Sequence, residues 1–399
     1  MVRSVPELRL LGQTLIFGVS LTSHGWVMEV SDSAASSSLS SDDRHPDAHG
    51  ADTAAGAGQP LLADVARLAG VSTATVSRFL NEPSRVTERT RAKVQAAISR
   101  LDWVPNAAAR SLVSRRSYAV GAIVPTLEHE KFHQQLQAFQ ARLGAQGLGV
   151  LVACSSYDPM EGYRQARSMI ARGVDALALV GDDYPDALFE LLVSKGIPYV
   201  VTFGKREDAP HPCVGLLHAR AYELMTQRLL ELGHQRFGVI FQSPGDNSRV
   251  QARLAAISRT LAANGIAVRP QHMAVAEDAE SIKVGFARQA FRRIMTASPA
   301  PTAIICGNDM LAVGALIEAN AMGIDVPGAV SVSGFDDIEL AAQFQPALTT
   351  IRVPDRDIGV LAAEYLLDRI AGKERECPPM LDVSIIERES TGPAPRLEG

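Results

Sequence analysis

Aromatic residues, cysteines and long apolar runs are all scarce in this 399-residue sequence, and each shortage removes a class of protein. Aromatics make up 5% against 46% apolar residues, so the chain can bury a large core, but an aliphatic one. Its four cysteines, Cys154, Cys213, Cys306 and Cys377, lie far apart, with no CxxC and no histidine at ligand spacing. That pattern excludes a zinc ribbon and a secreted disulfide framework, and implies a reducing cytoplasm. The apolar stretch Leu10 to Val19 is interrupted by Gly12, Gln13 and Thr14 and falls well short of the ~20 residues that a spanning helix needs. Arg3 and Arg9 are partly offset by Glu7 and no small-x-small cleavage site follows, so neither a signal peptide nor a membrane partner is expected. No GxGxxG follows a strand, and the chain has no Walker loop and no GxSxG. Dinucleotide, nucleoside-triphosphate and serine-hydrolase chemistry therefore lack their loops. His129 and His133 stand four apart with no third ligand nearby, which reads as a solvated helix start. No enzyme, metal or cofactor is expected. No heptad run closes the chain, so a coiled-coil tail is not expected either.

What is present is a contrast of charge. The whole chain carries a net −5, yet residues 61–116 hold ten Lys/Arg against four Asp/Glu, a net +6. A basic patch on an otherwise acidic chain points to a polyanion partner. The patch has the grammar of a helix-turn-helix. Val65, Ala66, Leu68 and Ala69 mark one face of a helix that stops at Gly70, and Ser72 stands where an N-cap belongs. The next helix, Thr73 to Leu80, should bury Val76, Phe79 and Leu80 and turn Thr73, Ala74, Ser77 and Arg78 outward. A third, about Thr87 to Leu101, carries Val94, Ala97, Ile98 and Leu101 inward. On the outer face of the second helix Arg78 can pair with guanine O6 and N7, or merely touch phosphate. Ala74 and the Thr73 methyl suit a thymine methyl. Ser72, Thr75 and Ser77 read as caps or phosphate contacts, which position without specifying. Pro105 to Leu112 is Pro-initiated and alanine-rich, a two-turn helix too short to be stable alone in water.

Before and after this head the character changes. Residues 31–60 are rich in Ser, Ala, Gly and Asp without periodicity, and 1–60 reads as a disordered or spurious extension from a start set too far upstream. From Tyr118 short β-branched runs (119–125, 148–154, 175–181, 197–204) alternate with amphipathic stretches, and the rhythm restarts at 219 with strands at 236–242, 303–307 and 330–336. Such alternation predicts parallel sheets covered on both faces, here as two lobes with a ligand cleft at the strand ends. Phe132 follows the first strand, where an aromatic ring can stack on a ligand. Arg253 lies in the helix after the second lobe's first strand. Asn308 begins a helix directly after a strand, and Asp336 ends one. Singly, Asn308 could be only an N-cap and Asp336 only a turn former; together they make a polar constellation suited to a small polar ligand.

The runs LADVARLAGVSTATVSRFLN, VTERTRAKV and VPNAAARSL resemble the head of the LacI/GalR family of bacterial transcription regulators. GAIVPTLEHEKF, LLELGHQRFGVI, AIICGNDMLAVGAL, SVSGFDDIEL and PALTTIRVP resemble that family's periplasmic-binding-protein-like effector domain. The likeness covers about 61–392. It implies an all-α helix-turn-helix head (61–104), a hinge helix and linker (105–117), a two-lobed α/β effector-binding and dimerisation domain with parallel sheets (118–392), and a tail (393–399). The crossing at 346–354 would return the chain to the first lobe. It further implies a cytoplasmic repressor of a carbohydrate or sugar-acid operon. Such a repressor binds a palindromic double-stranded DNA operator as a homodimer and is switched by a small metabolite. Leu112 would be the minor-groove wedge, with Asn106 and Ala109 on the same hinge helix. Effector contacts carry over onto Arg253, Asp336, Phe132, Asn308 and Asn247. Three departures leave the effector open: Leu217-His218 where the family has Asp or Asn, Ala256-Ile257 for a Gly-aromatic pair, and Phe203 with Lys205 for an Asp-Arg turn. Arg253 with Lys205 would tolerate an anion such as a sugar acid. The rival reading is a solute-binding protein serving a transporter, which would need an exported chain and a head without DNA affinity.

Overall fold

Gly70 closes the first helix of the head. Its φ of 65° is the left-handed cap that a side chain would strain, and Val71 N–H folds back onto Ala66 O at 3.0 Å. The structure, a computed structural model, describes residues 9–10, 13–14, 16–22, 25–31, 60–104, 116–204, 211–243, 247–276 and 284–396. It divides into two units, Met1–Trp103 and Val104–Gly399. In the first unit Leu62–Ala69 (α1) is started by Asp64, whose carboxylate accepts the Leu61 N–H at 2.8 Å. Thr73–Asn81 (α2) is capped by Ser72, whose Oγ accepts the Thr75 N–H at 3.1 Å. Glu88–Leu101 (α3) ends at Asp102, and Trp103 turns back into the core. Val65, Ala66, Ala69, Val76, Val94, Ala97 and Trp103 form that core. Leu68, assigned to the inner face from the sequence, is instead 41% exposed, and Leu62 packs in its place.

Within the first sixty residues, where an extension without structure was expected, Arg9–Leu10 (β1) pairs with Gln13–Thr14 (β2), and Ile16–Thr22 (β3) with Gly25–Ser31 (β4), both antiparallel. These pairings are local. A short loop costs little closure entropy, so β-branched sequence suffices to register them.

The second unit holds two parallel sheets. In the first lobe the order is Gly149–Cys154 (β6), Ala119–Val124 (β5), Ala176–Val180 (β7), Tyr199–Thr202 (β8) and Cys213–Val214 (β9). Glu130–Gly144 (α4), Pro159–Ala171 (α5) and Asp186–Ser194 (α6) connect them. In the second lobe the order is Met273–Ala276 (β11), Phe237–Gln242 (β10), Ala303–Cys306 (β12) and Ser331–Ser333 (β13). Its helices are His218–Glu231 (α7), Ser248–Ala262 (α8), Val284–Thr296 (α9) and Asp309–Ala321 (α10). The central strands β5, β7 and β10 are buried except at Ala119, as continuous apolar runs predict.

The chain returns to the first lobe within the stretch that the family resemblance implies, 346–354. Thr350–Arg352 (β14) leads into Asp355–Ile370 (α11), which packs on α4 of the first lobe. The approach is close because residue 359 is Gly; a Cβ there would lie 2.3 Å from Gln135 O. The short strands β11 and Ser384–Ile386 (β15, antiparallel to β14) escaped the periodicity reading. Three or four residues are too few to show a period. The tail begins docked, with Ala394 N–H on Leu232 O at 2.8 Å. Among the described residues no helix is long and apolar enough to cross a membrane.

Candidate functional site

On the head, α2 presents Ser72, Thr73, Ala74 and Arg78 to solvent, while Thr75 and Ser77 are half-buried. Ser72 is the cap of α2, and its Oγ lies 2.9 Å from Thr75 Oγ1. Both hydroxyls are therefore partly spent on the helix start, which fits positioning rather than base reading. Asn106, Ala109 and Leu112 lie outside the described residues.

In the second unit the strand ends of both lobes face a cleft with about 510 Å³ of empty space. Phe132, Asn247, Arg253 and Asn308 line it together. Their roles differ from the sequence expectation in instructive ways. Phe132 is 1% exposed, edge-on to Phe203 at 5.9 Å and to His129 at 6.0 Å. It is a packed floor of the cleft rather than an open stacking platform, because Phe203 from the departing strand covers it. Asn308 and Asn247 cap α10 and α8, their Oδ1 atoms accepting the N–H of Leu311 (2.9 Å) and Val250 (3.4 Å). Only their amide nitrogens remain for other work.

Arg253 is buried and its fork is already occupied. Nε and Nη2 donate to His218 Nδ1 at 3.2 and 2.9 Å, and Nη1 donates to Gly307 O at 3.2 Å. Its guanidinium carbon lies 4.1 Å from the Phe335 ring centroid. For His218 to accept at Nδ1 it must be neutral and protonated at Nε2, which faces Phe203 O at 3.0 Å. Burial, then the charges of Arg253 and Arg249, hold its pKa well below the ordinary value. A neutral imidazole, not a carboxylate, thus accepts from the Arg253 fork.

Asp336 sits apart, on a neighbouring cavity with Asp337, Asp355 and Glu130. Its backbone φ is 122°, and it accepts Lys131 Nζ at 3.1 Å, a pair joining β13's end to α4 across the lobes. Lys131 lines both cavities. Asp309 is fully buried, accepting Thr350 Oγ1–H at 2.5 Å and Ile338 N–H at 2.9 Å. Burial and the nearby Asp336 push its pKa up to about 7 despite those donors. Asp355 is buried too, with Oδ1 lacking any hydrogen-bond partner among the described residues.

Lys205, expected beside Arg253 as a second cation toward an anion, lies outside the described residues. Sequence reasoning missed Lys131, Arg249, Tyr157 and Gln242, all in the cleft wall. The signal for Arg249 was available. It stands four before Arg253, hence on the same face of α8 as buried Val250 and Ile257, and a cation on a buried face needs a reason.

The stretch His129 to His133 also spells His-Glu-x-x-His, the zinc-peptidase pattern. The structure separates the two histidines. His129 occupies the N-cap position of α4 without a side-chain capping bond and is 8% exposed, while His133 faces solvent, so one member of the expected solvated pair is buried. Among the described residues no group of three His, Cys, Asp or Glu could hold a metal. Burial, then the Lys131 charge, pushes His129 down to about 4. The folded pKa lies below the unfolded value near 6.5, so the unfolded chain binds the extra proton and stability falls as pH drops from about 6.5 to 4. At about 1.4 kcal/mol per unit this site contributes about 3 kcal/mol across that window. Urea melts of wild type and His129→Gln at pH 7 and pH 4 check it. The variant should lose that much less on acidification, and equal losses would sink the assignment.

Comparison with known proteins places these features. The profile described as bacterial regulatory proteins, lacI family, matches residues 61–106, and that of a periplasmic binding protein-like domain matches 226–391. The HTH-type transcriptional repressor PurR of Proteus mirabilis is 33% identical over 343 residues, covering 84% of this chain and 98% of that protein. A lacI-family transcriptional regulator from Silicibacter pomeroyi superposes with a TM-score of 0.75 at 28% identity, over 83% of this chain and 99% of that one. A lac repressor dimer bound to operator and the anti-inducer ONPF superposes at 0.72 with 26% identity, over 84% of this chain and all of that one.

Proposed function

The chain belongs to the LacI family of bacterial regulatory proteins, ligand-responsive DNA-binding repressors and not enzymes, and from that premise we propose how this member works. Two copies bind a palindromic operator in the cytoplasm, each setting α2 in a major groove. A small hydroxylated metabolite in the interlobe cleft controls them, and the genes silenced serve uptake or catabolism of a carbohydrate or sugar acid. The observation that carries this reading is the outward face of α2, with Thr73, Ala74 and Arg78 exposed in a stretch, residues 61–116, of net charge +6. Pairing of two copies is supported by β6, a sheet-edge strand with Leu151 and Val152 40% and 45% exposed. The lac repressor structure, a dimer on its operator, supplies the analogy. Asn106, Ala109 and Leu112 complete the contact through the hinge.

Ligand in the cleft acts by its different affinity for two lobe arrangements, which biases the hinge helices between ordered and melted. Pull-down of the tagged protein with its bound DNA should return a two-fold symmetric motif upstream of transport or catabolic genes. No enrichment above background would overturn the proposal. Within that motif, Arg78→Ala should relax preference at one base pair per half-site, costing about 1–3 kcal/mol there. Equal losses on operator and random DNA, read by fluorescence anisotropy, would reduce Arg78 to a phosphate contact.

A further inference from the structure

One cation in the cleft has no anionic partner among the described residues. Arg249 lies in the first turn of α8 and is 8% exposed. Its guanidinium reaches over Gly181, at the end of β7 in the other lobe; a Cβ on Gly181 would lie 3.3 Å from its Cζ. Gly181 has a φ of 80° and leaves the space that the fork occupies. Among the described residues the fork makes one long hydrogen bond, Nε donating to Asn247 Oδ1 at 3.4 Å. Among the described residues no carboxylate lies within ion-pair distance of Arg249. Lys131 has Asp336, Arg253 has His218 and Gly307 O, and Asp183 on the outer wall spends its Oδ1 on Ser248 N–H. Arg249 borders both the 510 Å³ cleft and an adjoining space of about 410 Å³ that also holds Tyr157 and Tyr184. A buried cation left without an anion is costly, and a guanidinium fork matches the two oxygens of a carboxylate or phosphate.

A second group in the same wall asks for the opposite partner. Gln242 ends β10 and is 8% exposed, and its Oε1 is buried with no hydrogen-bond donor among the described residues. It needs an O–H or N–H brought by whatever fills the cleft. The positive end of the α8 dipole lies on the Arg249 side and adds to the field there.

We propose that the cleft of this chain takes a hydroxylated acid, with Arg249 clamping the oxyanion and Gln242 accepting from a hydroxyl. This rests on the cleft being the effector site. It relocates anion recognition from Arg253, whose fork is occupied, to Arg249. The oxyanion belongs to a carboxylate or a phosphate ester, and the test separates the two.

Full-length protein is titrated calorimetrically with D-gluconate, D-glucose 6-phosphate and D-glucose, with melting curves in parallel. One acidic probe should bind and raise the melting temperature while glucose does neither; which of the two binds tells carboxylate from phosphate. Arg249→Gln should weaken that probe about tenfold to a hundredfold, and Arg249→Lys should recover part of the loss. Each variant's own melting curve verifies that it folds. Glucose binding as tightly as the acids, or acid binding that survives Arg249→Gln, overturns the acid while keeping the cleft as a ligand site. Binding by none of the three also overturns the hydroxylated-acid assignment. Failure of the DNA-binding reading shows separately, as absence of an enriched operator.

Discussion

Val76→Asp abolishes operator binding and leaves the melting transition of residues 104–399 in place. Val76 is fully buried at the centre of a core of seven buried residues drawn from α1, α2, α3 and Trp103. A carboxylate there must either ionise without a partner or keep its proton at neutral pH, a cost of several kcal/mol in either case. At about 0.05–0.15 kcal/mol per residue, a head of ~45 residues has only a few kcal/mol to lose. The head therefore unfolds, and α2 no longer exists to enter a groove. Specific affinity is typically about 10³ to 10⁷ above non-specific, and that whole margin should vanish. The large core of the body contains no head residue, so its transition should persist. Circular dichroism melting with anisotropy on operator DNA reads both. A folded head that still prefers operator would contradict the burial assigned to Val76. Val76→Ala, losing only methyl groups, should weaken the head and leave specificity intact.

Phe335→Ala lowers the stability of the second unit by about 3–5 kcal/mol. Phe335 is 1% exposed and stacks on Tyr222, with ring centroids 5.3 Å apart and planes at 19°. It also carries charge: Arg253 Cζ lies 4.1 Å and Lys131 Nζ 5.8 Å from its ring. The substitution leaves a cavity beneath both cations and removes a cation–π contribution of about 1–2 kcal/mol at a desolvated site. Arg253 then loses the surface that holds its fork against His218, so ligand binding in the cleft should fall along with stability. Chemical denaturation at neutral pH measures the first effect and calorimetric titration the second. Phe335→Leu, which fills most of the volume without a ring, should cost clearly less in stability yet still disturb Arg253. A loss below about 1 kcal/mol for Phe335→Ala would mean that the site collapses freely and the ring supports nothing.

Much of this was legible beforehand because it is written in local terms. Gly70 after Ala69, Ser72 before Thr73 and the inward spacing of Val76, Val94 and Ala97 define the head through turn chemistry and helical period, which need no distant partner. Alternating apolar runs defined the two parallel sheets for the same reason. The misses are short or long-range. Helical period puts Leu68 inside because an eight-residue pattern cannot tell the rim of an apolar stripe from its centre. Strands β11 and β15 are held by neighbours rather than by their own period. Position alone offers Phe132 to a ligand, because its cover, Phe203, comes from a distant segment.

The candidate cleft divides along the same line. Four residue types in its wall, Phe132, Asn247, Arg253 and Asn308, could be read in order along the chain, while Asp336 lines the neighbouring cavity. Which charges are already satisfied could not. Lys131 meets Asp336 across 205 residues, and Arg253 meets His218 across 35. Coulombic and hydrogen-bond pairing act over a few ångströms in space and are indifferent to separation along the chain. The sequence alone therefore determined that this protein has a basic DNA-reading head and a polar two-lobed cleft. Only the tertiary structure decided that Arg253 is spent and that Arg249 remains to meet an anion.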